Sequence, residues 1–273
     1  MAPSNPENHD TTDPDDWDSH WSAYHAAVET NPAFQFRHDL VARLLTDFAP
    51  VNRFVDLGSG IGDLLYMIDQ RRLADHLLGV ELSETGVRLA GRKVPGARFV
   101  QHDLLEDVEI DADLRGWATH ATCTEVLEHV VDPIRLLTNA RHYLAPGARL
   151  IVTVPSGPMN AYERHIGHLR HYTPSTLRDL LIDAGLEVDA ITRHGFPFFN
   201  LYKVLGFLRG TRLIEDIDER DGSVSKLTTL SMKLLGPGIR RSGRASRFGW
   251  QLIAVTTNPS PTTDLHSLRS PED

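Results

Sequence analysis

A glycine-rich segment preceded by an acidic residue is the part of the sequence best suited to bind a ligand. Residues 54–63 read FVDLGSGIGD, so glycines stand at positions 58, 60 and 62, and Asp56 comes before them. A backbone without side chains can turn tightly and lie directly against a bound molecule. Because Asp56 is an acceptor placed before the glycines, the segment favours a ligand that offers hydrogen-bond donors over a chain of phosphates.

Two other ligand classes have related glycine patterns. A dinucleotide-binding turn carries a small residue three positions after its second glycine, and here Asp63 occupies that position. A nucleoside-triphosphate loop ends in Gly-Lys-Ser/Thr, and residues 54–63 contain no lysine. A nicotinamide-dependent oxidoreductase of related fold therefore stays as an alternative that Asp63 disfavours.

Two more carboxylates follow the next two apolar segments. Glu81 ends the segment 77–81, and Asp103 comes shortly after the segment 98–101. Successive parallel strands end at one edge of their sheet, so Asp56, Glu81 and Asp103 are expected to converge on one crevice. A carboxylate at that edge can accept hydrogen bonds from both hydroxyls of a ribose, and another can accept from an amino group.

A second candidate site follows the apolar segment 118–124, where residues 125–129 read EVLEH. An imidazole with a pKa near 6.5 can take a proton at neutral pH, so His129 is the predicted general base. If these residues begin a helix, Glu125, Glu128 and His129 share one face and could hold Mg²⁺ or Zn²⁺. A site without metal is favoured. The alternative to a general base is that His129 has no catalytic role.

Residues 165–172 form a third cluster, HIGHLRHY, with histidines at 165, 168 and 171. His168 or Arg170 could bind an anionic or hydroxylated acceptor, and His168 could replace His129 as the base. A polar loop without function is an equal alternative, and a metal site built from the three histidines is less favoured.

The surrounding sequence alternates between short apolar runs and helical periodicity. Strands are predicted at 53–57, 77–81, 98–101, 118–124, 149–154, 186–192 and 250–257, and helices at 35–48, 64–73, 84–93, 133–144, 173–185, 198–208 and 224–235. This order predicts an α/β fold: a Rossmann-like, seven-stranded, mostly parallel sheet covered by helices on both faces, with an antiparallel last strand.

The predicted organisation has six parts. They are a disordered acidic arm (1–16), N-terminal helices that could form a lid (17–52), a core (53–195), a helical insertion that caps the acceptor (196–247), the last core strand (248–257) and a disordered tail (258–273). Trp17, Trp21, Tyr24 and Val28 recur at helical spacing and predict an aromatic face on the first helix.

Composition excludes several classes of protein. The 273 residues are 41% hydrophobic and carry a net charge of −9, which argues against nucleic-acid binding. The single cysteine, Cys123, excludes a disulfide framework and a four-cysteine zinc site. No apolar run reaches the roughly 20 residues that span a bilayer, so a cytoplasmic protein without stable membrane insertion is expected.

The pattern Asp-x-Gly-x-Gly-x-Gly, with Glu81 and Asp103 after the next two strands, resembles class I S-adenosylmethionine-dependent methyltransferases. The segment EVLEHVVDP at 125–133 is similar to one found in their small-molecule branch, which includes quinone-biosynthesis O-methyltransferases. The resemblance covers about residues 35–195 and 248–257. It implies S-adenosyl-L-methionine as methyl donor and S-adenosyl-L-homocysteine as product, and the quinone enzymes use the trio at 125, 128 and 129 for a divalent ion.

The resemblance also implies which residues bind the donor. Arg37 would pair with the carboxylate of its methionine part, Glu81 would bind the ribose hydroxyls, and Asp103 would bind the adenine amino group. The full predicted set is Arg37, Asp56, Gly58, Ser59, Gly60, Gly62, Glu81, Leu82, Asp103, Leu104 and Thr124.

The expected reaction is O-methylation of a small, sugar-like or aromatic hydroxylated acceptor. The chain lacks the Asp/Asn-Pro-Pro-Tyr/Phe turn of amino-methylating nucleic-acid enzymes, and Cys123 is placed for packing rather than for attack on cytosine. A non-catalytic S-adenosylmethionine-binding protein is the alternative. The apolar residues of the insertion could line an acceptor pocket or pack on the core or on a second copy of the chain.

Overall fold

The computed structural model describes residues 17, 18, 21, 32–107, 109–209, 236–239 and 241–260. The predicted arm at 1–16, the helix at 224–235, most of the tail, and Tyr24 and Val28 of the aromatic face lie outside the described residues. The limits of the predicted acceptor cap stay a prediction.

Helices and strands alternate along the described chain. In order they are α1 (Pro32–Phe48), β1 (Arg53–Leu57), α2 (Asp63–Gln70), β2 (His76–Glu81), α3 (Glu84–Lys93), β3 (Arg98–Gln101), β4 (Ala118–Thr124), α4 (Pro133–Ala140), β5 (Leu144–Pro155), α5 (Ala161–His165), α6 (Pro174–Asp183), β6 (Glu187–His194), α7 (Phe198–Arg209) and β7 (Gln251–Thr257).

The seven strands form one sheet in the order β3-β2-β1-β4-β5-β7-β6. Strands β1 to β5 pair in parallel, whereas β7 runs antiparallel to both β5 and β6. The predicted seven-stranded, mostly parallel sheet with an antiparallel last strand is confirmed. Order reverses between β1 and β4, so the carboxyl ends of β1, β2 and β4 lie around the crevice where such sheets bind ligands.

Alternate side chains of the sheet enter two separate apolar layers. Phe54 packs with α1 and α2 on one face, while Val55 and Leu57 pack on the other face with α4 and α6. The side chains of Phe54, Val55 and Leu57 are completely buried. Burial of each side chain contributes roughly 1.5–3 kcal/mol to the stability of the fold, and this packing anchors the strand that leads to the glycine-rich turn.

Helix starts follow local capping. Ser83 accepts a hydrogen bond from Gly86 N at 2.9 Å at the start of α3. Thr173 caps α6, and Pro174 occupies its first turn, as predicted from the sequence. Both caps lie next to the carboxyl edge of the sheet, so they fix the loops that border the crevice.

Four predicted boundaries differ from the structure by three residues or more. Helix α1 begins at Pro32 rather than at 35, and α2 ends at Gln70 rather than at 73. The helix predicted at 133–144 ends at Ala140, and β5 begins at Leu144 rather than at 149. Leu144 pairs with Ala118 of β4, and Gly147 N donates to Asn258 O at 2.7 Å, so pairing with distant residues draws the Pro146-Gly147 turn into the strand.

Helix α7, within the predicted insertion, packs against α1. Phe199 is buried and stacks on Phe36, with ring centroids 5.0 Å apart, and Lys203 is also buried. On the other side of the helix Leu201 and Leu208 are exposed. No helix in the described ranges is both long enough and apolar enough to cross a bilayer.

Candidate active site

The turn after β1 requires its glycines. Gly58, Gly60 and Gly62 have φ angles of +76°, +53° and +79°, which residues with side chains rarely adopt. A Cβ atom at Gly58 would lie 2.5 Å from Val126, and one at Gly60 would lie 2.8 Å from the Trp21 ring. The turn is therefore enclosed by other residues, and only bare backbone fits there.

Glu81 is held at the end of β2 by backbone amides. Its Oε2 accepts from Gly60 N at 2.7 Å and its Oε1 accepts from Ser83 N at 3.0 Å. The nearby Trp21 side chain also favours the ionised form of this carboxylate. Burial raises the pKa of Glu81, and these bonds oppose the increase. The carboxylate is thus fixed beside Gly60, which is where the sequence predicted a ribose-binding group.

Asp56 is buried at the end of β1, and its Oδ1 accepts a 2.6 Å hydrogen bond from Thr122 Oγ1 of β4. Burial, with a smaller effect of the nearby Glu81 charge, raises the pKa of Asp56 to about 7, although the Thr122 bond opposes the change. Asp56 and Glu81 therefore form an acidic pair whose ionised state a cationic ligand would favour.

Asp103 and Leu104 follow β3 at the same edge. Asp103 Oδ1 accepts from Leu105 N at 2.8 Å, which fixes the loop, and Leu104 is buried. His102 N donates to Glu81 O at 2.9 Å and joins this loop to the end of β2. The half-buried Leu82 adjoins Glu81 and accepts a 3.1 Å hydrogen bond from Gln101 at its backbone oxygen. The three acidic residues therefore border one edge, as predicted.

Several buried polar atoms at this edge have no hydrogen-bond partner within the described part of the chain. They are Ser59 Oγ, Thr124 Oγ1 and Arg37 Nε. A buried polar group without a partner costs about 1–3 kcal/mol, so such atoms mark places where a ligand would bind. An amino-acid moiety offers an ammonium group and a carboxylate to these atoms, so the residues fit the methionine part of S-adenosylmethionine.

Residues 125–129 form a turn and not the helix that the metal hypothesis required. Glu125 has a φ angle of +56°. Its Oε1 accepts from Thr153 Oγ1 at 2.9 Å and from Gln251 Nε2 at 2.7 Å, and its Oε2 lies 3.5 Å from Arg37 Nη1. Glu125 does not join Glu128 and His129 in a set of ligand atoms close enough to hold one ion, so the unfavoured alternative of a metal on this trio is not supported. The residues do not fit that metal site.

Glu128 is completely buried, and neither carboxylate oxygen has a hydrogen-bond partner among the described residues. Burial, reinforced by the charge of Glu125, raises the pKa of Glu128 well above its usual range and so favours the protonated form. Two sets of side chains are close enough to ligate one ion: Glu128 with His129 and His168, and Glu163 with His168 and His171. His165 is exposed and belongs to neither set, so the predicted three-histidine site is not formed.

Hydrogen bonds hold the loop before α6 against the turn at 125–129. Leu169 N donates to Glu128 O at 2.8 Å, and Tyr172 Oη donates to Leu127 O at 2.9 Å. The loop thereby places the His168 ring 4.6 Å from the His129 ring, measured between centroids. Arg170 is half-buried and donates to Val131 O at 3.2 Å. The structure brings together the two predicted catalytic histidines.

The N-terminal aromatic residues lie at the same crevice. The Trp17 ring meets the His129 ring edge-on, with centroids 5.0 Å apart. Asp18 Oδ1 accepts hydrogen bonds from Ser83 Oγ and, at 2.9 Å, from Thr85 N. These contacts place Trp17 against His129, and Trp21 lies against Gly60.

Sequence reasoning missed four polar residues of the site. They are Thr122 and Gln251 on strands, Glu163 on α5 and Lys203 on α7. The pattern Asn160-x-x-Glu163 does indicate a helix cap, which the structure shows as two reciprocal hydrogen bonds. No local signal could show that Glu163 also pairs with Lys203 at 2.8 Å, because the two residues lie on different helices.

Comparison with known proteins identifies the family. Residues 27–191 match the family model described as a methyltransferase domain. A 37.1 kDa protein encoded in a transposon of Streptomyces fradiae is 27% identical over 194 residues, which are 60% of this chain and 53% of that protein. The chain therefore spans about half the length of this relative. The ubiquinone biosynthesis O-methyltransferase of Marinobacter nauticus is 26% identical over 173 residues, which are 56% of this chain and 71% of that enzyme.

Solved structures agree on the fold. The N-methyltransferase NodS of Bradyrhizobium japonicum, determined with S-adenosyl-L-homocysteine, superposes with a TM-score of 0.52 at 16% identity, covering 84% of this chain and 89% of that one. The alternative of a nicotinamide-dependent oxidoreductase is not supported. Position 63 holds an aspartate that pairs with Lys93 at 2.7 Å, whereas a dinucleotide-binding turn has a small residue there. The chain belongs to the methyltransferase-domain family and has the fold of the class I S-adenosylmethionine-dependent methyltransferases.

Proposed function

We propose that this protein transfers the methyl group of S-adenosylmethionine to a hydroxyl oxygen of a small sugar-like or aromatic acceptor, with His129 as general base. The observation that carries the proposal is the edge-on contact between His129, on the turn that adjoins the glycine segment, and His168, on the loop before α6. An attacking hydroxyl must lose its proton near the transition state, and a neutral imidazole suits that step.

The donor side supports the proposal through charge and backbone shape. Asp56 and Glu81 supply acceptors for the donor's amino and ribose groups, and Arg37 supplies a guanidinium for its carboxylate. Asp103, Leu82 and Leu104 border the space for adenine. Ser59 and Thr124 contribute the buried hydroxyls, and Gly58, Gly60 and Gly62 admit the donor to the backbone.

The acceptor side supports a small molecule. Val126 lies against Gly58, so the turn that carries His129 is in direct contact with the donor segment. Trp17 provides an aromatic wall next to His129, and the buried Lys203 provides a cation from α7. Methyl transfer from a sulfonium is an in-line displacement, so positioning and exclusion of water are the main tasks of such walls. The Marinobacter relative is an O-methyltransferase, which agrees with an oxygen acceptor.

The experiment is a transfer assay with methyl-labelled S-adenosylmethionine and a panel of small phenols, catechols and sugars. Wild type should label at least one hydroxylated compound. The His129→Ala variant should lose at least about 100-fold in turnover while binding the donor normally, since general bases contribute about 10²–10⁴-fold. The exposed His142 gives a matched control, and His142→Gln should retain full turnover. Donor binding without transfer to any compound would favour the non-catalytic alternative.

We further propose that copies of the chain pair through the exposed side of α7. Leu201 is 44% exposed and Leu208 is 78% exposed on that side. Sedimentation equilibrium should give a dimer mass for wild type and a monomer mass for the Leu208→Glu variant. A monomer for both proteins would refute this pairing and leave the catalytic proposal unaffected.

A further inference from the structure

Three histidines form a continuous row from the turn after β4 to the start of α5. The His129 and His168 rings meet at an interplanar angle of 79° with centroids 4.6 Å apart. His168 Nδ1 lies 3.2 Å from His171 Nε2, within hydrogen-bond distance. The row ends at Glu163, whose Oε2 lies 3.8 Å from His171 Nε2.

The position of each proton in this row follows from a backbone carbonyl. Gly157 O lies 3.1 Å from His171 Nδ1 and can only accept, so His171 Nδ1 carries a proton. Burial is the main cause that lowers the pKa of His171, which favours the neutral ring, and a neutral ring protonated on Nδ1 has its lone pair on Nε2. His168 must therefore donate from Nδ1 to His171, and the lone pair of His168 is on Nε2.

The charges around the two rings differ. Burial, followed by the neighbouring His129, His171, Lys203 and Arg37, lowers the pKa of His168 to about 2. His171 also faces Lys203, but it has the carboxylates of Glu163 and Glu125 nearby, and these favour its protonated form. The Glu163 carboxylate, 3.8 Å from His171 Nε2, therefore favours a proton on that ring.

We propose that His168 and His171 carry the acceptor's proton away from His129 to the side of Glu163 during methyl transfer. This inference rests on the proposed function and adds His171, with Glu163, to the residues that serve it. One ring nitrogen of His129 lies within 4.8 Å of one ring nitrogen of His168, and one water molecule can bridge that distance.

The step balances in atoms and charge. The acceptor oxygen forms a bond to the methyl carbon, and the bond from that carbon to sulfur breaks with its electron pair on sulfur. The acceptor's proton goes to His129 and on to Nε2 of His168, while the Nδ1 proton of His168 goes to Nε2 of His171. The positive charge lost by the sulfonium reappears on His171 next to the Glu163 carboxylate. When the product leaves and water enters, the proton is released and the starting tautomers return.

The tautomers can be measured without an acceptor. Protein labelled with ¹⁵N-histidine, saturated with S-adenosylhomocysteine, gives long-range ¹H–¹⁵N spectra that show which ring nitrogen is protonated. The signal of His168 is assigned by its loss in the His168→Gln variant. We expect His168 and His171 to be neutral with the proton on Nδ1. A proton on Nε2 of His168 would overturn the path.

Kinetics test the transfer itself, with the hydroxylated compound that the wild type methylates. His171→Gln keeps an amide oxygen and an amide N–H near the two hydrogen-bond positions, but it cannot pass on a proton. We expect turnover to fall by about tenfold or more, and added imidazole to restore it, while donor affinity is unchanged. His142→Gln, treated in the same way, should match wild type.

Three outcomes would overturn the path. In the first, His171→Gln turns over as fast as the wild type, and in the second, imidazole does not restore the activity that His171→Gln has lost. In the third, a chelator inactivates the wild-type protein, because an ion on Glu128, His129 and His168 would occupy the lone pairs that the path needs. If wild type methylates no hydroxylated compound, the proposed function itself fails. The NMR experiment still decides the arrangement of the histidines in that case.

Discussion

At the scale of single residues, the donor side of the crevice depends on buried carboxyl groups that are held in different ways. Glu81 is fixed by two backbone amides, whereas Asp56 is fixed by the hydroxyl of Thr122. Both groups could be predicted from the sequence, because each lies within one residue of the end of an apolar strand. The position of Glu125 could not be predicted, since Arg37, Thr153 and Gln251 come from three distant segments.

The pKa of Asp56 makes donor affinity depend on pH. The folded-state pKa is raised to about 7, so the carboxyl group gains a proton as the pH falls through 7 and loses its attraction for the donor's ammonium group. Isothermal titration calorimetry should show weaker binding of S-adenosylmethionine at pH 6 than at pH 8, approaching tenfold for each unit below the pKa. Asp56→Asn should bind weakly at every pH, and the exposed Asp183→Asn should behave as wild type. An equal pH dependence in Asp56→Asn would contradict the assignment.

Glycine substitutions separate the donor turn from ordinary helix positions. Gly60→Ala places a Cβ atom 2.8 Å from the Trp21 ring at a φ of +53°, so donor affinity should fall at least about tenfold. Gly91→Ala, within α3, meets no atom within 4 Å. It should leave affinity unchanged and stabilise the fold by roughly 0.5–1 kcal/mol, measured by urea unfolding. Normal donor affinity in Gly60→Ala would show that the turn does not contact the donor.

At the scale of elements, α7 packs against α1 next to the proposed acceptor site. Phe199→Ala removes a buried ring stacked on Phe36 and should destabilise the protein by about 3–5 kcal/mol in urea unfolding. Leu208→Ala, on the exposed side of the same helix, should change stability by less than about 0.5 kcal/mol. Equal effects of the two substitutions would mean that the helix does not pack as described.

The elements themselves were largely predictable, because the alternation of strand and helix periods is strong between residues 53 and 194. Helix α3 and strands β1, β3 and β4 have the predicted bounds. The start of β5 was not predictable from local sequence. Pro146 and Gly147 indicate a turn, and only pairing with β4 and Asn258 extends the strand to Leu144.

At the scale of the whole molecule, the crevice combines residues from most of the chain. The residues proposed to bind the donor come from α1 and from the ends of β1, β2, β3 and β4. Those proposed to bind the acceptor come from two loops and from α7, which carries Lys203. Sequence periodicity predicts the sheet and therefore its ligand-binding edge. It cannot predict how the loop at 157–172 lies on the turn at 125–129, because long-range hydrogen bonds determine that contact.

The central claim is that this edge binds S-adenosylmethionine through Glu81 and its neighbours. Calorimetric titration of S-adenosylhomocysteine tests it most directly, since the product needs no acceptor. Wild type and Glu84→Gln, a matched change at an exposed glutamate three residues further along, should bind one equivalent with equal affinity. Glu81→Gln should bind at least about tenfold more weakly, since charge-assisted hydrogen bonds contribute about 1.5–3 kcal/mol. No binding by wild type, or equal affinity in Glu81→Gln, would contradict the account.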